Sequence, residues 1–221
     1  MNKMTCCILF LGTSLSVSTH IANASSGSSI ALQGNSNGAP PCVTCHGGKA
    51  LGRPLTGIPY LNGQPKAYLI KQLNDFANDR RVNTVMQQNA GALTSEEINA
   101  VANYYSKLPL PEKPTDYKNE ADNITGKRLT ENGKWSSGVP ACFKCHGDRG
   151  QGIAPHFPAI TGQPATYIET QLSHWKQGKR SNDPTSLMQA VVSKLTQKEM
   201  SAVADYLASK APAETFSQKN Q

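Results

Sequence analysis

Two short runs hold the residues with the most chemistry to offer: Cys42-Val43-Thr44-Cys45-His46 and Cys142-Phe143-Lys144-Cys145-His146, 100 positions apart. In C-x-x-C-H, two thiols can form thioethers with the vinyl groups of a haem while the adjacent imidazole becomes an axial ligand of its iron. A single such run also arises by chance, or in a zinc or redox dithiol site. Two runs, inside a longer duplicated context and behind an export signal, point to two covalently attached haem c groups. They would be held by Cys42, Cys45, Cys142 and Cys145, with His46 and His146 on the irons.

The sixth iron ligand separates electron carriers from haem enzymes. Past the first 24 residues the chain has three methionines: Met86, Met188 and Met200. Met86 lies 44 residues after Cys42 and 8 before Thr94; Met188 lies 46 after Cys142 and 8 before Thr196. This matched placement, on polar segments between two helical stretches where a loop can fold over a haem, makes Met86 and Met188 the candidate axial ligands. Met200 falls in a helix where the first half has Ile98 and reads as core, since an unbranched thioether packs like leucine. His/Met coordination raises the potential and closes the iron to outside ligands. His156 and His174 have no histidine counterpart in the first half and read as surface or propionate-neighbouring imidazoles. The carbonyls of Pro59 and Pro158, 13 and 12 residues after the motif histidines, are placed to accept the Nδ1 hydrogens. Arg53 and Arg149 are candidates to pair with propionates.

What must position these groups is a duplicated scaffold. Lys3, the apolar to neutral stretch Thr5 to Val17 and Ala22-Asn23-Ala24 have the layout of a cleavable export leader over residues 1–24, and too many Gly, Ser and Thr for a membrane span. Its removal takes Cys6 and Cys7, so all remaining cysteines belong to the two motifs and none is left for a structural disulfide. A hydrophobic content of 38% is thin for an ordinary core and suits a domain built around a buried macrocycle. The chain divides into an N-terminal domain, 25–108, a Pro-rich linker, 109–120, and a C-terminal domain, 121–221. Three prolines within Pro109 to Pro114 end the preceding helix and keep the segment extended.

The two halves correspond closely. Ile58-Pro59-Tyr60-Leu61-Asn62-Gly63-Gln64-Pro65 answers Phe157-Pro158-Ala159-Ile160-Thr161-Gly162-Gln163-Pro164. A helix face follows each Gln-Pro: Tyr68, Leu69, Leu73 and Phe76, then Tyr167, Ile168, Leu172 and Trp175. Thr94 to Glu97 and Thr196 to Glu199 are T-x-x-E boxes that start a last helix in each half. No strand-like alternation of any length is present, so the expected fold is all-α, with three or four helices per domain and long loops on the haem.

Duplicated G-x-P-x-C-x-x-C-H-G, P-x-h-x-G-Q-P, a methionine ahead of L-T-x-x-E and a last helix with an aromatic together resemble the dihaem class I cytochromes c of the cytochrome c4 family. The resemblance covers essentially the whole mature chain. It implies a tandem pair of class I cytochrome c domains related by a pseudo-two-fold axis, with propionate edges facing each other. It also implies a periplasmic shuttle, commonly carrying electrons from the cytochrome bc1 complex towards a terminal oxidase. The first helix of domain 1, near Ser29 to Asn35, is short and followed by Gly- and Asn-rich sequence, whereas domain 2 has a better one around Gly126 to Asn132.

The formal charge of +7 is largely offset by four haem propionates and carries no basic helix or aromatic platform for nucleic acid. Lys127-Arg128 and Lys176 to Arg180 are candidate docking patches for an acidic redox partner or a membrane-bound complex. Three functions fit: a soluble dihaem carrier, a cytochrome subunit of a periplasmic dehydrogenase such as a sulfide-oxidising flavocytochrome, and a dihaem peroxidase. The matched methionines and the lack of an insertion for a substrate pocket argue against an enzyme.

Overall fold

The computed structural model describes residues 26–48, 52–110, 123–183 and 185–212. The leader 1–24, and all of the linker except Pro109 and Leu110, lie outside them. The first half contains α1 (Gly27–Gln33), α2 (Val43–His46), α3 (Lys66–Ala77), α4 (Thr84–Gly91) and α5 (Ser95–Lys107). The second repeats them as α6 (Ile124–Glu131), α7 (Phe143–His146), α8 (Ala165–Lys176), α9 (Leu187–Val192) and α10 (Gln197–Ser209). The described residues include isolated β-bridges but no strand, so the fold is all-α. Each half has more helices than the three or four expected, because α2, α7, α4 and α9 are one- or two-turn pieces, too short to write a periodic pattern.

Local chemistry sets the ends of the long helices. Thr94 and Thr196 each accept the backbone N–H of the glutamate three residues on, while Glu97 and Glu199 accept from the threonine amides, so both capping boxes form. Pro65 and Pro164 precede α3 and α8 and preset the entry to the first turn. In domain 1 the first helix begins at Ser26, whose hydroxyl accepts from Ser29 N–H, and ends at Gly34, where φ is +79°. It therefore sits about two residues ahead of the expected span.

Tertiary packing repeats as well. α1 crosses α5 and α6 crosses α10, while α3 and α8 pack against α5 and α10. The crossings are close because Gly27 and Gly126 occupy them: a Cβ on either would sit 2.1 Å from the carbonyl oxygen of Ala100 or Ala202. Ile30, Leu69, Val101 and Tyr105 fill the first core, and Leu129, Ile168, Leu172, Met200, Val203 and Leu207 the second. Met200 is buried among them as expected of a leucine-like packer. Gly126→Ala should push α6 off α10 and lower the stability of the domain by about 3 kcal/mol. Gly91→Ala, at the open end of α4 with nothing within 4 Å of the new methyl, should instead raise stability by up to about 1 kcal/mol. Denaturant midpoints of the two holoproteins check both signs.

Candidate functional site

Each C-x-x-C-H run folds into a single helical turn. The His46 and His146 amides donate to the carbonyls of Cys42 and Cys142 at 3.0 Å, and Gly47 and Gly147, at φ +87° and +89°, end the turns. Such a turn brings both sulfurs and the imidazole to one side. His46 Nδ1–H donates to Pro59 O at 2.8 Å and His146 Nδ1–H to Pro158 O at 2.9 Å, the carbonyls expected from the spacing. With Nδ1 so engaged, the lone pair is on Nε2, the atom available to a metal. Burial holds both imidazoles below the ordinary histidine pKa, which keeps them in the neutral, ligating form.

Cys42 and Cys142, the first thiol of each run, are shifted the opposite way from an activated redox thiol. Burial pushes Cys42 up, and it pushes Cys142 up to about 11. Disulfide exchange chemistry needs the opposite shift. A zinc site needs three or four ligands together, and among the described residues no group of three or more His, Cys, Asp and Glu could hold an ion.

Both motifs open on one continuous, predominantly apolar cavity of about 800 Å³. Cys42, His46 and Met86 line its first end; Cys142, His146 and Met188 line its second. Met86 and Met188 are on short helices rather than the loops expected. Asn83 Oδ1 caps α4 by accepting the Met86 amide at 2.9 Å, and α9, whose N-cap Ser186 makes no side-chain cap, has its Met188 amide held by Asp183 Oδ2 at 2.8 Å. Two thiols and an imidazole line each end of an apolar cavity, the set that a covalently held haem requires, and a methionine lines the same end.

The polar groups at the middle of the cavity were not foreseen. Arg81 and Arg180 are buried, 8% and 4% exposed. They face each other across the boundary of the halves in an antiparallel bridge, and lie over the rings of Phe76 and Trp175 at 4.6 and 3.9 Å. Arg81 donates to Gln72 in its own half and to Tyr167 and Gln171 in the other; Arg180 donates to Gln171 and reciprocally to Gln72. No carboxylate pairs with either among the described residues, since the buried Asp75 is taken by Lys71 and Arg80. The Trp175 indole N–H is buried without an acceptor. Two uncompensated guanidiniums and an orphaned donor fit anionic groups entering the cavity here, as haem propionates would. The available signal was the shared Arg-x-Asn at 81–83 and 180–182.

Other expectations are corrected. Arg53 donates to the carbonyls of Thr44 and Cys45 at the end of α2. Lys176 to Arg180 is no free basic patch, because the Lys176 ammonium bonds the carbonyls of Ser193 and Leu195 and Arg180 is buried. Lys127 and Arg128 are exposed. His156 is exposed, while His174 borders the cavity with its pKa lowered by burial and by Lys179, Arg180 and Arg81. No helix among the described residues is long and apolar enough to cross a membrane.

Comparison with known proteins follows the same lines. The family model described as Cytochrome c matches residues 124–211. The thiosulfate dehydrogenase electron acceptor of Thiomonas intermedia (strain K12) is 42% identical over 188 residues, 82% of this chain and 87% of that protein. Cytochrome c4 of Pseudomonas aeruginosa is 33% identical over 171 residues, 76% of this chain and 83% of that one. Among solved structures, thiosulfate dehydrogenase (TsdBA) from Marichromatium purpuratum superposes with a TM-score of 0.76 at 35% identity. The match takes in 84% of this chain and 40% of that longer one. With two C-x-x-C-H turns on one apolar cavity and relatives matched over most of their length, the chain belongs to the cytochrome c4 family of dihaem class I cytochromes c, electron-transfer proteins with two covalently bound haem c groups.

Proposed function

We propose that this cytochrome accepts electrons from a thiosulfate-oxidising dehydrogenase in the periplasm and passes them singly to the respiratory chain. The observation that carries the reading is the 42% identity, over 87% of its length, to a protein named as a thiosulfate dehydrogenase electron acceptor. A solved thiosulfate dehydrogenase chain, 40% of which this chain matches at 35% identity, supports it. These likenesses support a dehydrogenase partner over the general shuttle expected from the sequence, and thiosulfate over sulfide as the substrate of that donor. Similarity to cytochrome c4 supports the second reading, a carrier between the cytochrome bc1 complex and a terminal oxidase.

In this reading residues 25–108 and 121–221 are the two haem domains, and His46 with Met86, and His146 with Met188, are the axial pairs. The bound haems supply two one-electron couples. The protein holds each imidazole neutral and oriented through a proline carbonyl and excludes water with an apolar wall, and Met86 and Met188, once bound to the irons, would leave no open site for a substrate.

Thiosulfate alone should leave the oxidised holoprotein oxidised, and thiosulfate with a catalytic amount of purified thiosulfate dehydrogenase should reduce both haems within seconds in a stopped-flow instrument. Reduction by the bc1 complex with quinol, and none by the dehydrogenase, would transfer the conclusion to the second reading.

A further inference from the structure

Gly-Gln-Pro recurs at 63–65 and 162–164, and neither glutamine forms a thioether or ligates iron. Both are buried, 3% and 4% exposed, and both reach across the boundary between the halves. Gln163 Oε1 accepts the Tyr60 N–H at 3.2 Å, and its Nε2 donates to Tyr60 O at 3.1 Å. Gln64 Oε1 accepts the Ala159 N–H at 3.1 Å, and its Nε2 donates to Ala159 O at 3.0 Å. Each partner offers one donor and one acceptor, so the orientation of each side-chain amide is dictated by what it meets.

The backbone groups they hold are not arbitrary. The Tyr60 N–H belongs to the peptide unit whose carbonyl is that of Pro59, the acceptor of His46 Nδ1–H. The Ala159 N–H belongs to the unit whose carbonyl is that of Pro158, the acceptor of His146 Nδ1–H. A peptide unit is conjugated, so a hydrogen bond made by its N–H polarises its carbonyl and strengthens the bond that carbonyl accepts. The strength of the Nδ1–H bond in turn sets imidazole basicity, and with it the electron donation that stabilises oxidised iron.

We infer that each glutamine is a positioning residue for the haem of the opposite domain: Gln64 acts on His146 through Pro158-Ala159, and Gln163 acts on His46 through Pro59-Tyr60. The inference rests on the reading of His46 and His146 as iron ligands. Its consequence is a crossed dependence, in which the potential of each haem is tuned only while the two domains are docked.

The test uses full-length holoprotein with both haems. Proton NMR of the reduced state gives the Nδ1–H and ring C–H signals of His46 and His146, and the haem methyl signals followed through a redox titration give each haem its own midpoint. In Gln64→Leu the His146 Nδ1–H should move to lower frequency and exchange faster with water. The reduced-to-oxidised ratio of the second haem at a fixed applied potential should rise about threefold. His46 and the first haem should stay where they were, and Gln163→Leu should give the mirror image. Gln64→Glu keeps an acceptor for Ala159 N–H and adds charge to it, so it should shift the second haem the other way. It decides the matter if a leucine variant fails to fold. Shifts confined to the haem of the substituted domain, equal shifts in both haems, or none would overturn the inference. The ligand reading fails separately, in the unsubstituted protein, if the ring protons of His46 and His146 lack the large haem-induced shifts of an axial imidazole.

Discussion

Met188→Ala should abolish the thioether-to-iron charge-transfer absorption of one haem and leave that of the other. The cause is the loss of the sulfur that Met188 offers at the second end of the cavity. Its amide is anchored by Asp183 Oδ2 at 2.8 Å, so the helix is set independently of the side chain and should persist in the variant. Without the thioether, oxidised iron is no longer disfavoured by a soft ligand, and the potential of that haem should fall by on the order of 0.1 V, a fraction of the roughly 0.8 V that axial ligands span. The vacated position should bind cyanide or carbon monoxide. Met86→Ala should do the same to the other haem. Met200→Leu, a volume-conserving change in a residue 1% exposed among Leu129, Val203 and Leu207, should cost less than about 1.5 kcal/mol and leave both spectra alone. An unchanged spectrum in either alanine variant would remove that methionine from the ligand set.

Arg180→Leu should have the second large effect, on the holoprotein's stability and on its potentials together. Arg180 is 4% exposed, stacked on Trp175 and bonded to Gln72 and Gln171 from both halves, opposite Arg81, which is also buried. Two facing cations without a carboxylate are unfavourable by themselves. They are tolerable if haem propionates bring the opposite charge between them. Losing one guanidinium then leaves a buried anion unpaired, which should destabilise the holoprotein by about 3–5 kcal/mol. It should also lower the potential of the adjacent haem, because uncompensated negative charge favours oxidised iron. Guanidinium denaturation followed by Soret absorption, with a redox titration of the same sample, measures both. The shift should depend little on salt, since buried charges are weakly screened. A potential that does not move would place the propionates elsewhere.

Much of this site is legible in the chain because it is local. A C-x-x-C-H turn, a T-x-x-E box and a helix face are each complete within a few residues, so Cys42 to His46, Thr94 to Glu97 and Tyr68 to Phe76 announce their structure directly. The proline carbonyls on His46 and His146 follow from a spacing short enough for the chain to return on itself. Duplication then did the rest, since a methionine in the same place twice is more informative than either alone. The helical setting of Met86 and Met188 was hidden because one- and two-turn helices, one capped by Asn83 and the other held at Met188 by Asp183, leave no periodic trace. What only the tertiary structure decided is the meeting of the halves. A repeat says that two segments fold alike but is silent on which faces they turn to each other, and the groups joined there are about 100 residues apart. The bridge between Arg81 and Arg180, and the reach of Gln64 to Ala159 and Gln163 to Tyr60, exist only once two cavities have merged into one. Burial then turns ordinary surface residue types into fixed charges and oriented amides.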